Sequence, residues 1–236
     1  METKWLYKLE SLELFRKHGL PVLDYIVLDK DNFESQINAF LKKTGTTLFC
    51  VRTDGLGKFS PSINNASLKD NKKDLERFFK DGYTVFIMHP GNIHTNLHGL
   101  NIMKDGEEVI LESAGPGFIT HDLNKRGQVH EETILTYPSL QVVKRTFLGA
   151  EKYKEMVSNK IKEFPLAELE AANSYLFQYP DYVPITDEEL GYIRGYFNNL
   201  LDMSRDLGSE NFIASLSFIN FGDGKHKPIF WDLYTI

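Results

Sequence analysis

The spacing of apolar residues along the 236-residue chain predicts helices and strands in alternation. Apolar positions three and four apart indicate amphipathic helices, and short apolar runs between polar turns indicate strands. We expect helices over 9–18, 31–43, 68–80, 148–164, 166–177 and 186–207, and strands over 25–28, 47–51, 83–88, 100–103, 108–111, 212–221 and 228–236. Helices interleaved with antiparallel hairpins predict an α+β architecture.

Local signals mark the ends of these elements. Thr186 and Glu189 have the spacing of a capping box at the start of the last helix. Residues 53–70, rich in Gly, Ser and Asn, are expected to form a long loop, and a second polar loop is expected over 115–128. Loops of such length in compact domains are often functional.

Composition narrows the class of protein. The chain is 42% hydrophobic and 25% charged, which is typical of a globular protein, and its net charge of -6 without a basic cluster argues against nucleic-acid binding. No apolar run approaches the roughly 20 residues of a membrane span, and the start lacks the pattern of a signal peptide. The single cysteine, Cys50, lies in an apolar run and suits a reducing compartment. We therefore expect a cytoplasmic protein with no membrane partner.

Two cations are candidates for binding a nucleoside triphosphate. Arg52 follows an expected strand and can offer a planar fork to phosphate, and Lys8 can supply a point charge. The alternatives are a surface ion pair for Arg52 and a solvated helix end for Lys8. Both alternatives stay open at the level of sequence.

A glycine-containing segment follows Arg52 directly. Gly55, Gly57 and Lys58 could fold over phosphates, because glycines let backbone amides approach an anion. The segment is not a P-loop, since Arg52 occupies the position of the required first glycine. A plain flexible loop is the alternative.

His94 and His98 are four residues apart, a spacing that could hold a metal ion on a helix. Pro90, Gly91 and Gly99 flank them and argue against a helix there. We expect no metal site at this pair.

An ordered series of short motifs resembles a known family. The series comprises Lys8, Gly19-Leu20-Pro21-Val22, Val51-Arg52, Thr186-Asp187-Glu188-Glu189, Asp223-Gly224-Lys225 and Phe230-Trp231-Asp232. Its order and spacing resemble the nucleotide-binding domain of phosphoenolpyruvate synthase and pyruvate phosphate dikinase, which has an ATP-grasp fold. The resemblance reaches both ends of the chain and covers 130–180 only loosely.

The resemblance implies an α+β, ATP-grasp-like fold of two subdomains with mixed and antiparallel sheets enclosing a nucleotide cleft. The subdomains would span 1–85 and 86–236. Lys8 and Arg52 would be catalytic and neutralise the triphosphate, and the backbone at Met88 and His89 would contact adenine. Glu112 would hold ribose or the metal, and Asp232 would coordinate magnesium with it. A buried strand at Met88 and a solvated strand end at Glu112 are the alternatives.

The function implied is an ATP- and Mg²⁺-dependent phosphotransferase, or kinase, with an unidentified acceptor and room for a separate partner protein. Two departures bear on catalysis: the expected strand over 213–218 lacks the family's acidic metal ligand, and Tyr234 replaces its final arginine. A catalytically weakened nucleotide-binding or interaction protein is therefore the alternative. A carboxylate–amine ligase, which uses the same fold, is a more remote one.

Overall fold

The computed structural model describes residues 8–55, 60–89, 96–116, 129–147, 150–161, 181–220 and 225–236. The chain divides into two compact units. Of the described residues, the smaller unit holds 8–9 and 23–89, and the larger unit holds 10–22 and those from 96 onward.

The described residues form fifteen helices and strands, labelled in chain order. They are α1 (Lys8–Lys17), β1 (Tyr25–Val27), α2 (Phe33–Thr44), β2 (Phe49–Asp54), β3 (Ser62–Ala66), α3 (Leu68–Lys80), β4 (Thr84–Met88), β5 (Asn96–Asp105), β6 (Glu108–Ala114), β7 (Glu131–Thr136), β8 (Val142–Phe147), α4 (Ala150–Ile161), α5 (Asp187–Asp206), β9 (Phe212–Asn220) and β10 (His226–Thr235).

The smaller unit is an antiparallel sheet with the strand order β1-β4-β2-β3 and two helices. Apolar side chains of α2 and α3, such as Ile37 and Leu75, form one buried cluster with Val51 and Ile87 of the sheet. Ser67 begins α3 as its N-cap and accepts a hydrogen bond from the backbone N–H of Asp70. The helices therefore cover one face of this sheet.

The larger unit is an antiparallel sheet with the strand order β10-β9-β5-β6-β7-β8. Its core joins α5 and α1 to one face, with Phe197 and Phe15 in the same buried cluster as Ile102, Leu111 and Ala214. The capping box of Thr186 and Glu189 is present at the start of α5. The terminal hairpin pairs with the central one through β9 and β5.

Four strands depart from the expected pattern. β3 lies within the stretch expected to be a loop, and β7 and β8 occupy residues for which no strand was expected. β2 continues to Asp54, so Arg52 lies inside the strand and not at its end. The expected helix over 166–177, and the candidate residues Gly57 and Lys58, lie outside the described residues.

Among the residues described above, none of the helices is both long and apolar enough to span a membrane.

Candidate functional site

Arg52 lies on the face of the smaller sheet that α2 and α3 do not cover. Neighbouring residues in a strand point to opposite faces, so Arg52 and Cys50 lie on the side opposite to buried Val51. Their cross-strand partners are Phe86 and Met88. The predicted phosphate and adenine contacts, Arg52 and Met88, therefore share one face of this sheet.

The Arg52 guanidinium is half-buried and has few protein partners. Its Nη1 donates to the Val51 carbonyl at 2.9 Å. In the described part of the chain no carboxylate forms an ion pair with it, so the surface ion pair weighed above is not found there. An arginine whose charge is not neutralised by the fold can bind an anion.

His89 follows β4 and is fixed by its backbone. Its N–H donates to the Asp24 carbonyl at 2.8 Å. Burial lowers the pKa of the His89 imidazole, and the nearby Asp24 carboxylate partly opposes this shift. His89 is therefore biased toward the neutral form, which can donate or accept a hydrogen bond.

Asp54 brings the start of α1 to the end of β2. Its Oδ2 accepts the Leu9 N–H at 3.0 Å, and its Oδ1 accepts the Gly55 N–H at 2.9 Å. Gly55 has a φ of +105°, which favours glycine at this turn. Lys8 is exposed at the first position of α1. Its neighbour in sequence, Leu9, is bound by Asp54, which lies two positions after Arg52 on β2.

A polar row crosses the larger sheet on the face opposite to its helical core. Asp232 of β10 pairs with Ser215, Ser215 with Asn101, Asn101 with Glu112, and Glu112 with Glu132. Directly paired residues present their side chains on the same face. We call these five residues the outer row; both candidates of the larger unit, Asp232 and Glu112, belong to it.

The members of the outer row differ in how they are partnered. The Ser215 hydroxyl donates to Asn101 Oδ1 at 2.8 Å, and both residues are buried. A bulge at Trp231 precedes Asp232, which hydrogen-bonds to the Tyr234 hydroxyl. Burial and this carboxylate raise the pKa of Tyr234. Tyr234, the residue at the family's arginine position, therefore donates a hydrogen bond to the candidate metal ligand.

Glu112 and Glu132 lie directly opposite each other and are half-buried. Within the described residues, neither carboxylate forms a hydrogen bond or an ion pair. Like charges in direct cross-strand pairs are destabilising. This part of the outer row is therefore electrostatically suited to a cation or to hydroxyl donors.

Asp232 and Glu112 are three strands apart. At roughly 4.8 Å per strand their Cα atoms are separated by about 14 Å. Their side chains extend roughly 3.5 and 5 Å at standard bond lengths, so direct coordination of one Mg²⁺ at about 2.1 Å by both is disfavoured. Across the ranges described, no three His, Cys, Asp or Glu side chains cluster closely enough to hold a metal ion.

A second polar cluster, not expected from the sequence, lies on the core side of the larger sheet. His98 Nδ1 is 2.6 Å from Glu189 Oε1, and its Nε2 is 2.6 Å from the Val183 carbonyl. Both ring nitrogens face acceptors, so the imidazolium is the form that satisfies them. Its pKa is raised by hydrogen bonding to Glu189 against the opposing effect of burial, and that of Glu189 is lowered by the same contact.

Glu131 continues this cluster. Its Oε2 accepts the Tyr182 hydroxyl at 2.7 Å and the Ile185 N–H at 2.9 Å, and its Oε1 accepts the Thr133 hydroxyl at 2.8 Å. The capping-box motif identified Glu189 as a helix cap. No local pattern could reveal its ion pair with His98, which is 91 positions away in sequence.

Comparison with known proteins places the fold. No family model matches the chain, and no curated protein matches it in sequence. Candidatus Korarchaeum cryptofilum ACD1, solved in complex with coenzyme A, is similar in structure, with a TM-score of 0.50, 13% identity, and coverage of 98% of this chain and 92% of that one. The α+β class with two antiparallel sheets is thereby confirmed, and the fold is ATP-grasp-like.

Two more distant similarities are to larger proteins. N5-carboxyaminoimidazole synthase from Aspergillus clavatus, solved with ADP and 5-aminoimidazole ribonucleotide, has a TM-score of 0.41 and 10% identity. A Chryseobacterium gregarium RiPP-associated ATP-grasp ligase, solved with ADP and a leader and core peptide, has a TM-score of 0.43 and 9% identity. Each is matched over 96% of this chain, which spans 43% of the synthase and 50% of the ligase. The narrower resemblance to phosphoenolpyruvate synthase stays a prediction.

Proposed function

We propose that this protein binds ATP and transfers its γ-phosphoryl group to an acceptor oxygen. The observation that carries the proposal is the outer row, in which one sheet face holds Asp232, Asn101 and Glu112 in register. Oxygen-rich side chains on a fixed strand scaffold suit Mg²⁺ and ribose hydroxyls. Arg52, half-buried and without a carboxylate partner in the described residues, suits a phosphate.

The residues have separate roles in this proposal. Arg52 and Lys8 neutralise the phosphates, and Gly55 contributes to the same contact, as would Gly57 and Lys58, which lie outside the described residues. The backbone at Met88 and His89 contacts the adenine. Glu112 accepts hydrogen bonds from the ribose. Asp232 would hold Mg²⁺ through its carboxylate, since magnesium in nucleotide sites is bound through one or two carboxylates and the substrate phosphates.

The reaction follows from these roles. An acceptor oxygen attacks the γ-phosphorus, the bond to the β–γ bridging oxygen breaks, and ADP leaves with the electron pair. Mg²⁺ held by Asp232 would supply positive charge to the phosphates. Arg52 and Lys8 stabilise the charge on the transferring group and orient it. An acceptor carboxylate would give an acyl phosphate, the intermediate that a carboxylate–amine ligase passes to an amine with release of phosphate.

Ser215 favours a second candidate function. It lies directly opposite Asp232, on the strand where the resembling family has an acidic metal ligand. With one carboxylate in this strand pair, phosphoryl transfer would be slow and ATP binding would be retained. A nucleotide-binding or interaction protein is therefore the second candidate.

Calorimetric titration of ATP, with and without magnesium, tests the proposal. Arg52→Ala should weaken ATP binding about ten- to a hundredfold, because a hydrogen bond to a charged group contributes roughly 1.5–3 kcal/mol. Arg77→Ala is the matched control, since Arg77 is exposed and paired with Asp74 on α3. Equal ATP affinity in wild type and Arg52→Ala would contradict the assignment.

Magnesium dependence separates the two functions. In an enzyme, Asp232→Asn should abolish most magnesium-dependent ATP turnover, whereas exposed Asp202→Asn should not change it. Negligible turnover by the wild type, together with tight ATP binding, would favour the binding protein.

A further inference from the structure

Three rings surround the turn that ends β6. His130 precedes β7, Tyr153 lies on α4, and Tyr182 precedes α5. The ring centroids of His130 and Tyr153 are 5.2 Å apart, those of His130 and Tyr182 5.8 Å, and those of Tyr153 and Tyr182 5.9 Å. We call these residues the three-ring clamp.

His130 lies just before β7 and hydrogen-bonds to β6. Its backbone N–H donates to the Ser113 carbonyl at 2.7 Å, one residue out of the register that pairs Ser113 with Glu131. Its ring Nδ1 then accepts the Gly115 N–H at 2.8 Å. A side chain thus supplies the acceptor for a backbone donor beyond the strand, and Nδ1 must be unprotonated to do so.

Tyr153 and Tyr182 hold the same turn from its other sides. The Tyr153 hydroxyl donates to the Pro116 carbonyl at 3.2 Å. A Cβ on Gly115 would lie 2.7 Å from Tyr182 Cδ2, closer than real Cβ atoms approach, and 3.0 Å from Tyr153 Cε2, which is a tight contact. The φ of Gly115 is not in the left-handed region. Glycine is therefore needed here because there is no room for a side chain, and not because of the backbone conformation.

The clamp is itself anchored. The Tyr182 hydroxyl lies 2.7 Å from Glu131 Oε2 and 3.0 Å from Ser113 Oγ, so the ring is tied to both β7 and β6. His130 and Tyr153 are almost fully buried. Hydrogen bonds are directional, so rings held in this way fix the position of the adjacent backbone more closely than apolar packing alone would.

Glu112 lies three residues before Gly115 on β6, so the clamp determines where that strand ends beside a candidate ligand. We propose that His130, Tyr153 and Tyr182 are positioning residues that fix the Gly115–Pro116 turn and thereby the nucleotide contact at Glu112. This inference rests on the proposed function. It names residues that touch neither phosphate nor metal and that act through the backbone.

Two substitutions at His130 distinguish the loss of its hydrogen bond from a change in side-chain volume. His130→Leu keeps a similar volume but leaves the Gly115 N–H buried without an acceptor. His130→Asn places a side-chain oxygen near the position of Nδ1 and should restore the bond. Leu135→Ala, in the core of β7, is the control for a general loss of stability.

ATP affinity, measured by calorimetry on protein verified as folded, is the readout. We expect His130→Leu to weaken ATP binding about tenfold or more, because the turn beside Glu112 loses the hydrogen bond that fixes its position, and Tyr153→Phe to weaken it several-fold. His130→Asn should stay within about threefold of wild type, as should Leu135→Ala at matched folded fraction. Hydrogen exchange at the Gly115 amide should be faster than in wild type in His130→Leu but not in His130→Asn.

Each remaining outcome overturns a defined claim. If wild type binds ATP and His130→Leu and Tyr153→Phe bind it equally well, the inference fails and the proposed function survives. If His130→Asn is as weak as His130→Leu, or Leu135→Ala is equally weak, the clamp contributes only stability and the inference also fails. A wild type that does not bind ATP overturns the proposed function and this inference together.

Discussion

The two faces of the larger sheet differ in whether the charged residues beside them are paired. On the core face, His98 and Glu189 are buried and in contact at 2.6 Å. On the other face, Glu112 and Glu132 oppose each other, and no partner reaches either within the described residues. Removing one partner of a buried ion pair leaves an uncompensated charge, so we expect the paired cluster to be needed for stability. We propose that the carboxylates without a partner in the described residues, Glu112 and Glu132, are the ones available to a ligand.

The largest expected effect is on the paired cluster. His98→Leu removes one partner of a buried pair and should lower the free energy of unfolding by about 3–5 kcal/mol, because Glu189 is left buried without its counter-ion. Urea unfolding measures this change. Lys17→Ala, at an exposed pair with Asp206, is the control and should cost no more than about 1 kcal/mol. If His98→Leu lowers the free energy of unfolding by less than Lys17→Ala does, the paired cluster is not needed for stability.

The same pair should make stability depend on pH in a defined direction. The pKa of folded His98 is raised above its ordinary 6.5, so its contribution is complete below pH 6.5 and is lost as pH rises through the folded value. The pKa of folded Glu189 is lowered from 4.5, so its contribution is present above pH 4.5 and is lost as pH falls through the folded value. The difference in unfolding free energy between wild type and His98→Leu should therefore be largest between pH 4.5 and 6.5 and should shrink at lower and at higher pH. A wild-type advantage that grows above pH 6.5 would contradict the ion pair.

The smallest effect should have the opposite sign. Glu132→Gln removes one of two facing carboxylates and should raise the free energy of unfolding by roughly 0.2–1 kcal/mol. Thermal and urea unfolding at low salt measure this gain, which should shrink as salt screens the repulsion. A destabilised Glu132→Gln would mean that the carboxylate is structural after all.

Local patterns were sufficient for much of the fold. α3 has the bounds that its apolar spacing predicts, and the capping box fixes the start of α5. β3 was missed because Ser62-Ile63-Asn64-Asn65-Ala66 has little strand character of its own and depends on pairing with β2. β7 was missed because Glu131 and Thr133 face inward, which reverses the usual polarity of a half-buried strand.

The candidate site was less accessible to sequence reasoning. Motif order identified Asp232 and Glu112 singly, but their common row depends on the register of four strands from distant parts of the chain. The clamp residues carry no motif, because their role depends on distances to a turn and not on spacing in sequence. Register and long-range contacts are properties of the packed fold, so local periodicity cannot supply them.

ATP titration of Glu112→Gln tests the central claim, that the outer row belongs to the ligand and not to the fold. The substitution removes the same like-charge contact as Glu132→Gln, so we predict an unfolding free energy equal to or above that of wild type. We also predict ATP binding about tenfold weaker, because a charged acceptor for ribose hydroxyls is lost. Greater stability with weaker ATP binding would support the claim, whereas unchanged ATP affinity, or a destabilised Glu112→Gln, would contradict it.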